Sequence, residues 1–243
     1  GDQEYLNSAI ANANFIIKKL WSQEGNLFHS YKNDTSSING YLEDYCFVIA
    51  AFIALYEVTL EEKWLQDAKQ LTDYTLEHFY DVEQAFFRFT SDKDDALISV
   101  HYETEDNVIP ASNSVMAKNL NQLGIYFNNS YYEKISQQML AILLPNIDYP
   151  SAYSNWLDLS LTLSEQNREL AICGPDATEM NTIITGLYLP NVIVAGTKKS
   201  SPLPFLKDRF TSEKNLFYVC QNKTCQLPVE DFQEMITQLS WKS

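Results

Sequence analysis

The stretch GYLEDYCFVIAAFIALYEV, Gly40 to Val58, sets two carboxylates, Glu43 and Asp44, directly in front of the most apolar run in the chain. From Tyr45 to Tyr56 the residues are apolar all round, which predicts a helix buried on every side. The run is too short to cross a bilayer and reads as a core helix. Acids at its start suit the positive end of the helix dipole and its unpaired amides. They equally suit a cleft in which carboxyl groups do chemistry.

Working outward, Glu62 to Phe79 has the opposite character. Trp64, Leu65, Ala68, Leu71, Leu76 and Phe79 fall on one stripe with charges opposite, predicting an outer helix with one face on the core. This segment also repeats the start of the chain. Without a gap, Tyr5 aligns with Trp64, Leu6 with Leu65, Ala9 with Ala68, Phe15 with Tyr74, Leu20 with Phe79, and Leu27 and Phe28 with Phe86 and Phe87. Each unit is a helix followed by a short, partly aromatic extended piece, and fixed-period similarity marks a repeat architecture. The alternation continues. Ser112 to Phe127 is inner-like, Tyr131 to Leu144 outer-like, and Ala152 to Leu163 mainly apolar. Two layers of helices, outer amphipathic and inner apolar, describe an α/α toroid or a solenoid.

Past about residue 168 the texture changes. Leu170–Gly174 and Asn191–Gly196 read as strands flanking a helix, a β-α-β unit. Leu216–Cys220 predicts a further strand, and Phe232, Met235, Ile236 and Leu239 mark the buried stripe of a closing helix. The expected organisation is a helical portion, 1–167, with an α/β appendage, 168–243, packed on it. The fold class is mainly α, with a few short strands in the C-terminal part.

The 243 residues carry a net charge of −15 with only 17 basic side chains. Nucleic acid and anionic membranes require a cationic face, so neither is an expected partner. No signal peptide precedes Gly1 and the pattern begins abruptly, so a longer parent chain is expected. A cytoplasmic location is the separate expectation. Three scattered histidines offer no paired spacing for a transition metal, and no phosphate loop, dinucleotide fingerprint or Ser-His-Asp arrangement is present. No cofactor is expected. Cys46 and Cys173 read as core residues. Cys220 and Cys225 lack the second pair that zinc needs, and form either a hairpin disulfide or two thiols.

The blocks GYLEDYCFVIAAFIALYEVTLEEKWLQDAKQL, HFYDVEQAFFRFT, EDNVIPASNSVMAKNL and FYVCQNKTCQLPV, in that order, resemble the C-terminal part of the YyaL-type, spermatogenesis-associated, thioredoxin-domain-containing proteins. The resemblance implies a partial (α/α)6 toroid, the six-hairpin fold of glycosidases and N-acylglucosamine 2-epimerases. It also implies an N-terminal thioredoxin-like domain and the first half of the toroid elsewhere in the full-length protein. For Cys220 and Cys225 it implies a structural role. This chain departs from the family pattern at Gln84 and Ala85, which stand where glycines are usual. It departs again at Ala111-Ser112, where Ser-Gly is usual, and at His29, Lys32 and His101, near which arginine is common.

Two constellations carry the functional expectation. Glu43 and Asp44 precede one inner helix, and HYETEDNVIPASNS, residues 101–114, precedes the next, so the repeat places both at one end. Sugar-active toroids hold acids there. Glu43, Asp44 and Asp106 are the candidate catalytic acids, because one carboxylic acid can protonate a glycosidic oxygen while a second carboxylate activates water. His29, His101, Asn107 and Asn113 would orient a sugar-like small molecule, and Tyr41, Tyr45 and Tyr102 would stack on its rings. The alternatives are capping for the acids and a structural ion pair for His29, which aligns with Arg88. A non-enzymatic helical scaffold or interaction module is the competing function.

Overall fold

The computed structural model describes residues 2–95, 98–164 and 168–240. Helix α1 (Gln3–Phe15) ends in a π-helical turn, Ile16–Leu20, and a hairpin of β1 (Phe28–Lys32) and β2 (Thr35–Asn39) leads into α2 (Leu42–Thr59). Helix α3 (Lys63–His78) and the two-residue strands β3 (Tyr80–Asp81) and β4 (Phe86–Phe87) repeat that unit. Next come α4 (Ser112–Phe127), α5 (Ser130–Leu143) and α6 (Ser154–Ser164).

Local chemistry sets the ends of the central helices. Before α2, the Gly40 N–H donates to the Leu27 carbonyl at 2.8 Å, and a Cβ on Gly40 would stand 2.9 Å from that same oxygen. Only glycine allows so close an approach. Helix α2 stops where Leu60 turns left-handed, and α4 stops at Asn128 in the same conformation. Asparagine tolerates that geometry better than most residues. The next residue, Asn129, caps α5 by accepting from the Tyr131 N–H at 3.1 Å.

The helices form two layers. Helix α3 packs antiparallel on α2, with Tyr74 stacked on Tyr45 near one end (5.5 Å) and Trp64 against Phe52 near the other (5.7 Å). Helix α5 lies antiparallel on α4, and a Cβ on Gly124 would meet Glu133 Cγ at 2.5 Å. Helices α2 and α4 run in the same direction. Asn119 Nδ2 donates to the Cys46 carbonyl (2.8 Å), and further along Tyr126 meets Tyr56 edge-on (5.3 Å). Their N-termini therefore lie at one end, which brings both acid-bearing loops to the same side. The stripe read on α3 is the buried one, with Trp64, Leu65, Ala68 and Leu71 all fully covered. Truncating an aromatic such as Trp64 to alanine would cost about 3–5 kcal/mol.

Helix α2 is not buried on every side. Ala51 and Ala54 are exposed and Val58 is 45% exposed. They face an apolar groove of about 720 Å³ shared with α1, whose Leu6, Ala9 and Ala13 line the other wall. Small residues on both helices leave the two backbones without side chains long enough to close the gap.

The remainder contains β5 (Arg168–Cys173), α7 (Ala177–Ile184), β6 (Val192–Thr197), β7 (Leu216–Gln221), β8 (Thr224–Cys225) and α8 (Phe232–Leu239). The sheet order is β6-β5-β7-β8, with β5 and β6 parallel and the β5–β7 and β7–β8 pairs antiparallel. Strand alternation divides its faces. Ala171, Cys173, Ile193 and Ala195 join the helical core, while Leu170, Ile172, Phe217 and Val219 form a second core with residues of α7 and α8. Among the described residues no helix is long and apolar enough to cross a membrane.

Candidate functional site

At the start of α2 the two acids divide their work. Asp44 Oδ2 accepts from the Tyr41 N–H at 2.8 Å and so satisfies a helix-start amide. The same oxygen lies 3.0 Å from His29 Nδ1, on the neighbouring strand β1. Glu43 is half-buried, and its side chain has no hydrogen bond among those of the described residues. Burial raises its pKa above the ordinary range, the charges of Asp44 and Glu103 add to the effect, and His29 opposes it. The Tyr41 ring stacks on Phe89 at 5.1 Å and meets His29 at 5.1 Å, while His101 continues the row 5.9 Å beyond Phe89. His29 and His101 are both exposed.

The loop before α4 has a different character. Asp106 Oδ1 accepts from the Ala111 N–H (2.9 Å), and Oδ2 accepts from the Asn155 N–H (2.8 Å) and the Ser154 hydroxyl (3.1 Å). Ser114 Oγ stands 3.3 Å from Oδ1, but its one proton is better placed on the Ala111 carbonyl, at 2.7 Å. Asp106 thus ties the starts of α4 and α6 together. Asn113 is fully buried: Oδ1 accepts from the Phe87 N–H (2.7 Å), and Nδ2 donates to the carbonyls of Phe87 (2.9 Å) and Glu103 (3.0 Å). Tyr45 is also in the core, its hydroxyl accepting from the Leu27 N–H at 2.8 Å. Asn107 is exposed on the loop.

Tyr102 donates to Asp81 Oδ2 at 2.8 Å, and Arg88 reaches the same oxygen at 3.1 Å. The Tyr102 hydrogen bond, the Gln84 N–H and the guanidinium hold Asp81 below the usual carboxylate range. The repeat is therefore echoed in chemistry, since His29 and Arg88 both meet an aspartate. His78 has a side chain only 12% exposed; it packs on Tyr74 and meets Asp92 at 2.9 Å.

The acids at this end are accompanied by Glu103, which accepts from the Ser112 N–H at 3.1 Å while the buried Ser112 hydroxyl has no hydrogen-bond partner. At the other end of α2 stands Glu57, a residue that the sequence reading passed over. Tyr126 Oη lies 3.0 Å from Glu57 Oε1 and 2.9 Å from the Val194 carbonyl. One hydroxyl proton cannot serve both acceptors. A protonated Glu57 resolves the conflict by donating to Tyr126, which then donates to Val194. Burial raises the Glu57 pKa in that direction, against the Tyr126 hydrogen bond. No sequence signal marked this acid, because a lone glutamate late in a helix is ordinary. Among the described residues no group of three or more His, Cys, Asp and Glu side chains could hold a metal ion.

Two layers of helices with paired acidic starts, joined to a small mixed sheet, define a mainly helical protein with a polar end. No protein-family model matches the chain. The chain is similar to spermatogenesis-associated protein 20. It is 28% identical to the human protein over 95% of its own length, and 27% identical to the rat protein over 79%. An uncharacterized protein of Caenorhabditis elegans is 25% identical over 96% of the chain. The chain spans only a quarter to a third of the length of these relatives, 32% of the human protein and 26% of the rat protein.

Proposed function

We propose that this chain is the C-terminal part of an α/α toroid, and that the end where α2 and α4 begin binds a neutral, polyhydroxylated, sugar-like small molecule. The carrying observation is the unengaged Glu43 carboxyl beside the His29–Asp44 pair. Glu43 keeps its proton to higher pH than an ordinary glutamate, as a general acid requires. His29, held by Asp44 at 3.0 Å, is placed to accept one. A carboxylic acid beside an imidazole whose Nδ1 is held by a carboxylate supplies the ingredients of an acid/base pair, whether for epimerisation or glycoside hydrolysis. The stacked Tyr41 and Phe89 rings supply the apolar platform that a sugar face needs. In this reading Asp106, Asn113 and Tyr45 hold the walls, and His101, Tyr102 and Asn107 border the opening. The helical portion, 1–167, carries the site, and the α/β portion, 168–243, closes its far side. The rest of the toroid and a thioredoxin-like domain would belong to the full-length protein.

A second reading has its own support. Asp106 and Asn113 are fully engaged in holding backbone, as a scaffold requires, and the protein would then act as a helical support for a partner domain. Calorimetric titration with a panel of neutral mono- and disaccharides separates the two. The ligand reading predicts heat with at least one sugar and loss of that heat in Asp44→Asn. Absence of heat with every sugar, in a folded full-length protein, leaves the scaffold.

A further inference from the structure

Cys220 and Cys225 face each other across the β7–β8 hairpin and are joined by a disulfide. The guanidinium of Arg209 lies against both sulfurs: one nitrogen is 3.5 Å from Cys220 Sγ and another 3.2 Å from Cys225 Sγ. Sulfur in a disulfide is a weak acceptor, so this contact returns little for holding a cation in a half-buried place. A thiolate at the same position would be a strong partner. The sulfurs do not hold the arginine there. Its Cζ lies 5.1 Å from the Phe205 ring and 5.1 Å from the Tyr218 ring, and the Tyr218 hydroxyl donates to the Arg209 carbonyl at 3.1 Å. Among the described residues Arg209 makes no ion pair with a carboxylate. The cation is thus positioned by aromatic packing and aimed at the sulfur pair.

Access is graded. Cys220 is 1% exposed, whereas Cys225 is half-exposed on the short edge strand β8. The other charged and titratable groups around the pair are few. Glu169 is the register partner of Cys220 on β5 and feels the Arg209 charge. Lys223 at the hairpin tip pairs with Glu133 of α5 at 2.8 Å, and its N–H reaches Glu169. Cys173 lies on β5 within the field of Arg209, and Tyr218 stacks against it from β7.

We infer that Cys220–Cys225 is a reversible thiol–disulfide exchange site whose reductant is a dithiol, with Arg209 stabilising the departing thiolate. A dithiol thiolate attacks the accessible Cys225 Sγ, forming a mixed disulfide. The Cys220–Cys225 bond breaks and its electron pair leaves on Cys220 Sγ, beside Arg209. The reductant's second thiolate then attacks its own sulfur in the mixed disulfide and releases Cys225 as a thiolate. Two electrons pass to the protein, the dithiol becomes a disulfide, and its two protons go to solvent or to the new thiolates. This goes beyond the structural role that the family resemblance implies for the pair.

The test uses the intact chain equilibrated with reduced and oxidised dithiothreitol. Iodoacetamide labelling at Cys220 and Cys225, read by peptide mass spectrometry, is followed against pH. The reference is the same chain unfolded in guanidinium. The expected result is labelling of the reduced, folded pair that persists to lower pH than in the unfolded reference. At pH 7 the rate should fall about tenfold in Arg209→Gln and less in Arg209→Lys. Coincident pH profiles for folded and unfolded wild type overturn the inference, even if Arg209→Gln fails to fold. So does a folded disulfide that stays oxidised under dithiol conditions that reduce the unfolded one.

Discussion

The start of α2 and the start of α4 face the same side of the molecule and use the same residue types, yet one end is left chemically open and the other is closed. At α4, Asp106 accepts from two backbone amides and a serine hydroxyl, so little of it is available to a ligand. At α2, Asp44 takes one amide and turns its remaining capacity to His29, while Glu43 takes none among the described residues. The difference lies in what the neighbouring chain brings. Helix α6 presents Ser154 and Asn155 to Asp106, whereas the hairpin before α2 presents His29 to Asp44. Acids of equal standing in a sequence become wall or reagent according to how many donors the fold lays against them.

The comparison can be broken most easily at its closed end. Asp106→Asn sets an amide against the N–H donors it must accept, and costs about 3 kcal/mol, seen as a fall in Tm of roughly 6–12 °C. At the open end Asp44→Ala removes one cap and a partly exposed pair, for about 1 kcal/mol. Calorimetry on the two variants under one buffer checks the order.

The far end of α2 sharpens the contrast through pH. Glu57 has its folded pKa raised from 4.5, so the folded state holds this proton more tightly than the unfolded chain does. Its contribution is fully present below the unfolded value and declines as pH rises from there through the folded value. Glu57→Gln keeps the hydrogen-bond donor without the titration. The variant should melt about 2 °C or more above wild type at pH 7, with the gap closing near pH 4. A gap independent of pH would show that Glu57 is ionised in the fold.

The smallest effect belongs to the turn between β3 and β4. Ala85 sits at a φ of 57°, in the left-handed region. Ala85→Gly should stabilise the protein by about 0.5–1 kcal/mol, read from the denaturant midpoint.

Much of this architecture was legible in the chain. Alternating stripes gave α2, α3, α4 and α5 their places, because burial selects apolar residues at the helical period. Short apolar runs located β5, β6 and β7. The resemblance marked position 85 as one where glycine is usual, and the left-handed turn supplies the cause. The exposed flank of α2 was not legible, since a run that is apolar all round does not say which side lacks a neighbour. Nor were the engagement of Asp106 and Asn113, the Glu57–Tyr126 contact or the Arg209 position. Each depends on groups brought from far along the chain, such as Asn155 for Asp106 and Tyr126 for Glu57.

The most direct test of the open-end and closed-end account is the Tm of Glu43→Gln set beside that of Asp106→Asn at pH 7. The account predicts that Glu43→Gln melts within about 1 °C of wild type or above it, because a desolvated carboxyl with no partner is relieved, while Asp106→Asn falls several degrees. A fall in Glu43→Gln as large as that in Asp106→Asn would contradict it, for Glu43 would then be a structural cap like its counterpart.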